Sequence, residues 1–142
     1  EVFLMGETID DRGLPPRKRI RRGLEVTPFE VRGLLEGAGD GEPGPILVDV
    51  REPDEWRICG LDGAVQMPLG EVEERAEEVL DLIEERGGDG GAETPVIVYC
   101  HHGVRSLTAA VVLQSKGVRG ARSLSGGIDQ WSVSVDPGVA RY

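Results

Sequence analysis

Two kinds of hydrophobic pattern alternate along the chain. The continuous apolar runs ILVDV at 46–50 and PVIVYC at 95–100 are typical of strands covered on both faces. In two longer stretches the apolar residues recur every three or four positions, which predicts helices with one buried stripe. These stretches are SLTAAVVLQSKG and GEVEERAEEVLDLIEERGG, the second with Val72, Ala76, Val79, Leu80 and Ile83 on its stripe.

Weaker signals place further elements around these four. GLEVTPFEVRGLLEG predicts a short strand and then a helix, with Thr27 as N-cap, Pro28 in the first helical position and Glu30 three residues after the cap. EPDEWRIC and GGIDQW predict short helices, GAVQMPL and ARSL predict short strands, GAGDGEPGP and DGGAE predict loops, and SVSVDPGVARY predicts an irregular tail. Strands that alternate with helices indicate the α/β class, here a central, mostly parallel sheet flanked by helices on both faces.

The first 22 residues lack this periodicity. They contain Pro15 and Pro16 beside a basic cluster, and we interpret residues 1–22 as a flexible N-terminal basic arm that precedes one domain at residues 23–142. The cluster consists of Arg17, Lys18, Arg19, Arg21 and Arg22. It is either a solvated part of the arm or a docking patch for an anionic partner.

Composition and charge narrow the classes of function. The 16 Lys and Arg against 26 Asp and Glu give a formal net charge of −10, which disfavours nucleic acid as a partner. No apolar stretch approaches the roughly 20 residues of a membrane span, so no membrane partner is expected. The two cysteines, Cys59 and Cys100, are too few for a secreted disulfide scaffold, and a reducing, cytoplasmic compartment fits them better.

The main candidate for chemistry is Cys100, which ends a predicted buried strand. In an open parallel sheet, ligands bind beyond the carboxyl ends of the strands. The turn His101, His102, Gly103 and Val104 leads to Arg105 at the start of a helix, so that backbone N–H groups, the helix dipole and a guanidinium converge on the sulfur. This environment favours a nucleophilic thiolate. The alternative is a buried cysteine that packs at the end of a strand.

The length of this turn indicates the kind of reaction. Phosphatases that use cysteine separate it from the arginine by five residues, whereas four separate Cys100 from Arg105. The smaller ring fits a single additional sulfur atom on the cysteine better than a phosphoryl group. Adjacent histidines in a turn do not easily aim both rings at one ion, so we predict neither a metal site at His101 and His102 nor any cofactor.

Four segments together resemble the rhodanese-like sulfurtransferases. They are ILVDVREPDEW, LDGAVQMPL, VYCHHGVRS and LSGGIDQW, in the family's order and spacing, and the resemblance covers about residues 24–142. It implies a small α/β domain in which Cys100 is the nucleophile that carries sulfur and residues 101–105 form a cradle around it. Asp49 and Arg51 match the family's Asp-x-Arg element, which would brace the active loop or help to hold an anionic donor. They are otherwise an N-cap and a surface ion pair.

One stretch departs from the family pattern. Many relatives have Gly-His-Ile before a Pro-Gly-Ala-type strand, whereas this chain has Cys59, Gly60 and Leu61, with Asp62 in place of the proline. In this respect it looks most like the sulfurtransferase domain attached to adenylating enzymes that make thiocarboxylates. Cys59 would either attack a Cys100 persulfide, form a disulfide with Cys100, or be a half-buried spectator.

The resemblance implies a sulfurtransferase that uses thiosulfate or a persulfide. The Cys100 thiolate would take a sulfane sulfur from a small anionic donor and pass it to a thiophile, such as a protein thiol or a thiocarboxylate carrier. Two alternatives stay open at this point: a phosphatase or arsenate reductase of the same fold, and a non-catalytic sulfur carrier or interaction module.

Overall fold

The predicted sheet is present, with five parallel strands. The computed structural model of the chain describes residues 2–4, 7–39, 43–87 and 94–142, the side chains of 2–4 and 7 excepted. The predicted DGGAE loop and the middle of GAGDGEPGP lie outside these residues. The strands are β1 (Val2–Leu4), β2 (Glu7–Ile9), β3 (Glu25–Val26), β4 (Ile46–Asp49), β5 (Val65–Gln66), β6 (Val96–Tyr99) and β7 (Ala121–Leu124). The sheet has the order β3-β7-β6-β4-β5, and β1 and β2 form a separate antiparallel pair.

In the described ranges, five α-helices and one 3-10 turn flank the sheet. The helices are α1 (Pro28–Glu36), α2 (Pro53–Trp56), α3 (Val72–Glu85), α4 (Val104–Ser115) and α5 (Gly127–Ser134), and the 3-10 turn covers Leu69–Glu71. Helix α1 begins as predicted: Thr27 Oγ1 accepts from the Glu30 N–H, Glu30 reaches back to the Thr27 N–H, and Pro28 occupies the first turn. None of the described helices has the length and apolar character that crossing a membrane requires.

The two central strands are buried on both faces, as their apolar runs predict. Successive side chains of a strand point to opposite faces, and they enter two separate clusters. Ile46, Val48, Val96 and Val98 pack with the buried stripes of α3 and α4. Leu47, Ile97 and Tyr99 pack on the other face with residues of α1 and α5. The predicted fold class is therefore confirmed.

The C-terminal tail departs from the prediction of irregular structure. Ser132, Val133 and Ser134 continue α5, and all three are buried. Serine and valine favour a helix only weakly, but tertiary contacts offset this preference. The Ser134 hydroxyl accepts a hydrogen bond from the Gln130 amide at 2.8 Å and donates one to the Gly13 carbonyl at 2.6 Å.

The segment interpreted as an arm is packed on the domain along part of its length. Ile9 and Leu14 are 1% and 0% exposed. The carbonyl of Arg12 accepts from the Phe29 N–H at 3.1 Å, at the start of α1, and the neighbouring carbonyl of Gly13 accepts from α5. Ile9 and Leu14 follow neither a helical nor a strand period, so their pattern is too weak to predict this packing. The division of the chain at residue 22 stays a prediction.

Candidate active site

Cys100 lies where the central strand β6 ends, four residues before α4 begins. The neighbours of β6 in the sheet are β4 and β7, so the ends of three parallel strands lie around the turn. The Val50 N–H donates to the Tyr99 carbonyl at 3.0 Å, which extends the pairing of β4 with β6 up to the cysteine. This is the edge at which an open parallel sheet binds its ligands.

Backbone N–H groups point at the sulfur. The Cys100 Sγ atom accepts hydrogen bonds from the N–H of Gly103 at 3.1 Å and from the N–H of Ser106 at 3.3 Å. Gly103 has a φ of 104°, a left-handed conformation that glycine adopts readily and that turns its N–H inward. The predicted convergence of amides on the thiol is therefore present in the structure.

Two buried serines continue from the sulfur into the sheet. The Cys100 Sγ lies 3.3 Å from the Ser106 Oγ, which lies 2.7 Å from the Ser123 Oγ on β7. Because a hydroxyl both donates and accepts, this row of hydrogen bonds can reverse its direction. It accepts from a thiol, and it donates to a thiolate or to a persulfide.

The N-terminus of α5 holds the backbone on the other side of the turn. The carbonyls of Cys100 and His101 accept from the N–H groups of Ile128 at 2.9 Å and Asp129 at 3.1 Å. A Cβ atom on Gly127 would lie 2.3 Å from the His101 oxygen, so only glycine permits this approach. Gly127 thus has a specific structural role, since it lets the start of α5 approach the backbone of the turn.

The charge of Arg105 is matched by a carboxylate. Its Nη1 and Nη2 atoms donate to the two oxygens of Glu55 at 2.6 and 3.0 Å. The hydrogen bonds from Arg105 lower the pKa of Glu55 to about 2, although burial opposes the shift, and the same pairing raises the pKa of Arg105. The sequence predicts that this guanidinium adds its positive charge beside the sulfur, and the structure shows it paired with Glu55.

Tyr142 ties this ion pair to the turn. Its hydroxyl donates to Glu55 Oε2 at 2.6 Å and accepts from Arg51 Nη1 at 3.0 Å. Burial and then the neighbouring carboxylate raise the pKa of Tyr142 to about 12, so the phenol keeps its proton near neutrality. Its ring is stacked on the His101 ring, with centroids 3.8 Å apart and an interplanar angle of 7°.

The two histidines have different environments. His101 is half-buried between Tyr142 and His102, and burial lowers its pKa, which favours the neutral imidazole. Its Nε2 atom is buried with no hydrogen-bond partner in the described part of the chain. His102 is exposed, with its Nδ1 atom 3.9 Å from Asp129 Oδ2. Both rings lie at the rim of the turn.

Asp49 and Arg51 form an ion pair in the interior, on α2's side of the turn. Arg51 is 0% exposed and donates to both oxygens of Asp49 at 3.0 and 2.8 Å. Its other donors bind the carbonyls of Glu55 and Cys59. The geometry favours the bracing alternative over direct contact with a donor, because these hydrogen bonds hold α2 and so position Glu55.

The structure separates the two cysteines. Both are free thiols. Cys100 packs in the cluster beneath α3 and α4, and Cys59 packs against the cluster on the opposite face of the sheet, 3.7 Å from Arg51 Nη1. This arrangement favours the interpretation of Cys59 as a spectator.

The Cys100 sulfur is covered from solvent. The sequence places Cys100 at the mouth of a strand, but the residue is only 1% exposed, whereas Val104 in the same turn is 78% exposed. Any sulfur exchange at Cys100 would therefore require the side chains at the rim to move. The amides nevertheless face the sulfur, so the cradle is formed before any such movement.

Several residues of this site were missed by sequence reasoning. Glu55 and Ser106 lie inside the quoted motifs, as partners of Arg105 and Cys100. Ser123 and Tyr142 carry no local signal, since their contacts to the site are made 17 and 87 positions away along the chain. Such long-range contacts have no signature in the hydrophobic period.

Comparison with known proteins identifies the family. The model of the Rhodanese-like domain matches residues 30–134. The chain belongs to this family. A probable adenylyltransferase/sulfurtransferase MoeZ of Mycobacterium tuberculosis is 31% identical over 125 residues, and a putative mitochondrial thiosulfate sulfurtransferase of Schizosaccharomyces pombe is 31% identical over 116 residues. The human single-domain sulfurtransferase TSTD1 has a similar structure, with a TM-score of 0.56 and 26% identity, over 72% of this chain and 89% of that one.

The relatives differ in how much of their length the rhodanese-like domain occupies. The match with MoeZ covers 85% of this chain but 28% of MoeZ, whereas that with the fission-yeast protein covers 78% and 80%. Both a long relative, of which the match covers a small part, and a short relative, of which it covers most, are named sulfurtransferases. This supports a role in sulfur transfer. The likeness to the sulfurtransferase part of adenylating enzymes, expected from the sequence, is confirmed.

Proposed function

We propose that the chain is a sulfurtransferase in which Cys100 carries the sulfur as a persulfide. The observation that carries this proposal is the pair of backbone N–H groups, of Gly103 and Ser106, directed at Cys100 Sγ. They stabilise negative charge on the sulfur at fixed positions, which is how oxyanion-type sites act. The neighbouring carbonyls are held away from the sulfur by α5.

The first half-reaction uses an anionic sulfane donor such as thiosulfate. The Cys100 thiolate attacks the outer sulfur, the S–S bond of thiosulfate breaks, and sulfite leaves with the bonding electron pair. Arg105 exchanges its ion pair with Glu55 for contact with the donor anion, and Tyr142 moves with the carboxylate to which it donates. Residues 101–105 then surround the terminal sulfur of the persulfide.

The second half-reaction returns the enzyme to the thiolate. A thiophile attacks the outer sulfur, and Cys100 leaves as a thiolate that accepts from the same N–H groups. Cyanide would give thiocyanate in an assay, and a protein thiol or a thiocarboxylate carrier would be the acceptor in a cell. No metal or organic cofactor takes part in either step, and we place the reaction in the cytoplasm.

Mass spectrometry tests the assignment of Cys100. After treatment with thiosulfate, the intact protein should gain about 32 Da, the mass of one sulfur atom, and the gain should map to Cys100. Cys100→Ser should abolish both this gain and thiocyanate formation, while Cys59→Ser should retain both. Thiocyanate formation that continues in Cys100→Ser would overturn the proposal.

The low exposure of Cys100 favours one second candidate, a sulfur carrier without turnover. A carrier would gain the sulfur but would not release it to cyanide or to thiols. Hydrolysis of an aryl phosphate that depends on Cys100 would instead indicate a phosphatase, against which the four-residue spacing argues. Release of the sulfur to an acceptor at a steady rate would exclude the carrier.

A further inference from the structure

A cleft lies beside the active turn, on its outer side. It has a volume of about 250 Å³. One wall consists of residues of the N-terminal segment and β3, and the other consists of residues of the active turn, α4 and the turn before α5; we call it the basic cleft. Its lining includes Lys18, Arg19, Arg21, Glu25, Val104 and Leu107.

The backbone that carries the three cations is fixed to the domain. The Lys18 N–H donates to the Pro15 carbonyl at 3.1 Å, and the N–H groups of Leu24 and Glu25 donate to the Arg21 carbonyl. The Gln114 side chain, on α4, donates to the Gly23 carbonyl at 2.8 Å. These bonds hold the cations opposite the active turn.

The backbone in this segment includes a disfavoured conformation. Arg17 has a φ of 72°, and it is the one residue other than glycine with positive φ in the described part of the chain. Such conformations are costly and cluster at functional sites. Here the conformation precedes Lys18 and directs the chain along the cleft.

The charges of the cleft are open to a partner. Neither Lys18 nor Arg19 forms an ion pair within the described ranges, whereas Arg21 lies 3.6 Å from Glu25. The whole chain has a net charge of −10, so unpaired cations in a concave site contrast with their surroundings. Clefts lined by one sign of charge focus the field and attract the opposite charge.

A small donor in the cleft would not reach the sulfur. Cys100 is not among the lining residues, and it is nearly fully buried. Any occupant that exchanges sulfur must extend from the cleft over the rim of the turn. The exposed Val104 and the half-buried Leu107 add apolar surface beside the cations. A polypeptide segment fits these requirements, and a dianion the size of thiosulfate does not.

We propose that the basic cleft docks an acidic polypeptide segment of the protein that exchanges sulfur with Cys100. This inference rests on the proposed function, since it identifies the acceptor of the same site. In the step, a thiolate of the docked chain attacks the outer sulfur of the Cys100 persulfide. The acceptor becomes the persulfide, and Cys100 leaves as a thiolate.

Transfer to synthetic peptide thiols tests the docking. The probes are an acidic peptide rich in Asp and Glu that ends in cysteine, and a matched peptide with Asn and Gln in place of the acids. The persulfidated protein should prefer the acidic peptide, with a KM at least about tenfold lower at low ionic strength, because the paired charges are weakly screened there. The double variant Lys18→Glu/Arg19→Glu should lose this preference, and the loss should not extend to cyanide.

A matched double variant controls for the change in net charge. Lys116→Glu/Arg119→Glu reverses two exposed charges where α4 ends and before β7, away from the active turn, and it should keep the preference. Equal transfer to both peptides by the native protein would overturn the proposal. Equal losses in the two double variants would do so too. A loss shared with cyanide would show that the variant damages the persulfide itself and would overturn docking in the cleft, and stronger competition by an oligonucleotide than by the acidic peptide would assign the cleft to nucleic acid.

A binding measurement tests the docking independently of sulfur transfer at Cys100. Fluorescence anisotropy with the labelled acidic peptide and Cys100→Ser protein measures docking without chemistry. Saturable binding that Lys18→Glu/Arg19→Glu weakens about tenfold would support the cleft even if Cys100 takes no sulfur from thiosulfate. Absence of such binding would overturn the docking proposal while leaving sulfur uptake at Cys100 intact.

Discussion

At the scale of single residues, the groups that contact the Cys100 sulfur are dipoles, which would stabilise negative charge on it. They are two backbone N–H groups and the Ser106 hydroxyl, whereas the guanidinium of Arg105 is engaged by Glu55. Fixed dipoles need no reorganisation when the charge appears. In the proposed mechanism, the ion pair would keep Arg105 in place until a donor anion displaced the carboxylate. Different groups would then stabilise the thiolate and bind the donor.

Glu55→Gln tests this ion pair through pH dependence. The folded pKa of Glu55, about 2, lies below its ordinary value of 4.5, so the pair stabilises the fold fully above pH 4.5 and ceases to do so as the pH falls through 2. We expect the variant to lose about 1–2 kcal/mol of unfolding free energy at pH 7, an amount reduced by solvent screening of the partly exposed guanidinium. Urea denaturation at a series of pH values should show the difference from the native protein shrinking between pH 4.5 and 2.

Glu73→Gln provides the control for this measurement. Its carboxylate is highly exposed and lies 3.8 Å from Lys116, so its removal should change the unfolding free energy by less than about 0.5 kcal/mol. A loss of stability in Glu55→Gln that stayed constant from neutral to acidic pH would contradict the role given to the carboxylate.

At the scale of elements, α5 supports the active turn from behind. Its first N–H groups bind the carbonyls of Cys100 and His101, and Gly127 brings the helix within reach of them. The same helix packs by Ile128 and Trp131 into the cluster beneath the sheet. The geometry of the turn is therefore coupled to the packing of a helix that contributes no group to the sulfur itself.

Gly127→Ala should damage both the fold and the site. The new Cβ atom would lie 2.3 Å from the His101 oxygen, at a φ of 64° that L-residues disfavour. We expect a loss of about 2–4 kcal/mol in the free energy of unfolding and a slower gain of sulfur at Cys100. Denaturation and the time course of the mass increase measure the two effects.

Gly33→Ala is the matched substitution at a harmless position. Gly33 lies within α1, is exposed, and has no atom within 4 Å of the position of a Cβ. Alanine there should stabilise the protein by up to about 1 kcal/mol and leave sulfur uptake unchanged. A Gly127→Ala protein that takes up sulfur as fast as the Gly33→Ala protein would contradict the support by α5.

What the sequence could predict follows from the range of the interactions. The strands β4 and β6 and the helices α3 and α4 have strong local periods, and the cap at Thr27 is local too, so all were predicted. Ser132–Ser134 were not predicted as helical, since their helix depends on contacts with the N-terminal segment. The cradle at Cys100 follows from one loop. By contrast, Glu55 pairs with Arg105 from 50 positions away, and Tyr142 donates to Glu55 from 87 positions away. No local pattern predicts such contacts.

At the scale of the whole molecule, the N-terminal segment connects the packing of α1 and α5 with the basic cleft. Residues 9–14 are packed between the start of α1 and the end of α5, and the residues that follow form a wall of the basic cleft. The packing holds the start of the segment that carries the cations against the domain. Both the docking of a partner and the stability of the domain should therefore depend on the packing of residues 9–14.

Leu14→Ala tests whether residues 9–14 unfold cooperatively with the rest of the domain. Leu14 is 0% exposed, so its truncation should lower the unfolding free energy by about 2–5 kcal/mol through lost burial and a cavity. Asp11→Ala, at an exposed neighbouring position, should have little effect. Urea denaturation followed by tryptophan fluorescence, to which Trp56 of α2 and the buried Trp131 of α5 both contribute, reports on the domain, so a lower midpoint with one transition would show that the segment unfolds together with the domain. A midpoint unchanged from that of Asp11→Ala would instead support a boundary at residue 22, because truncation within a separate arm leaves the domain's own stability untouched.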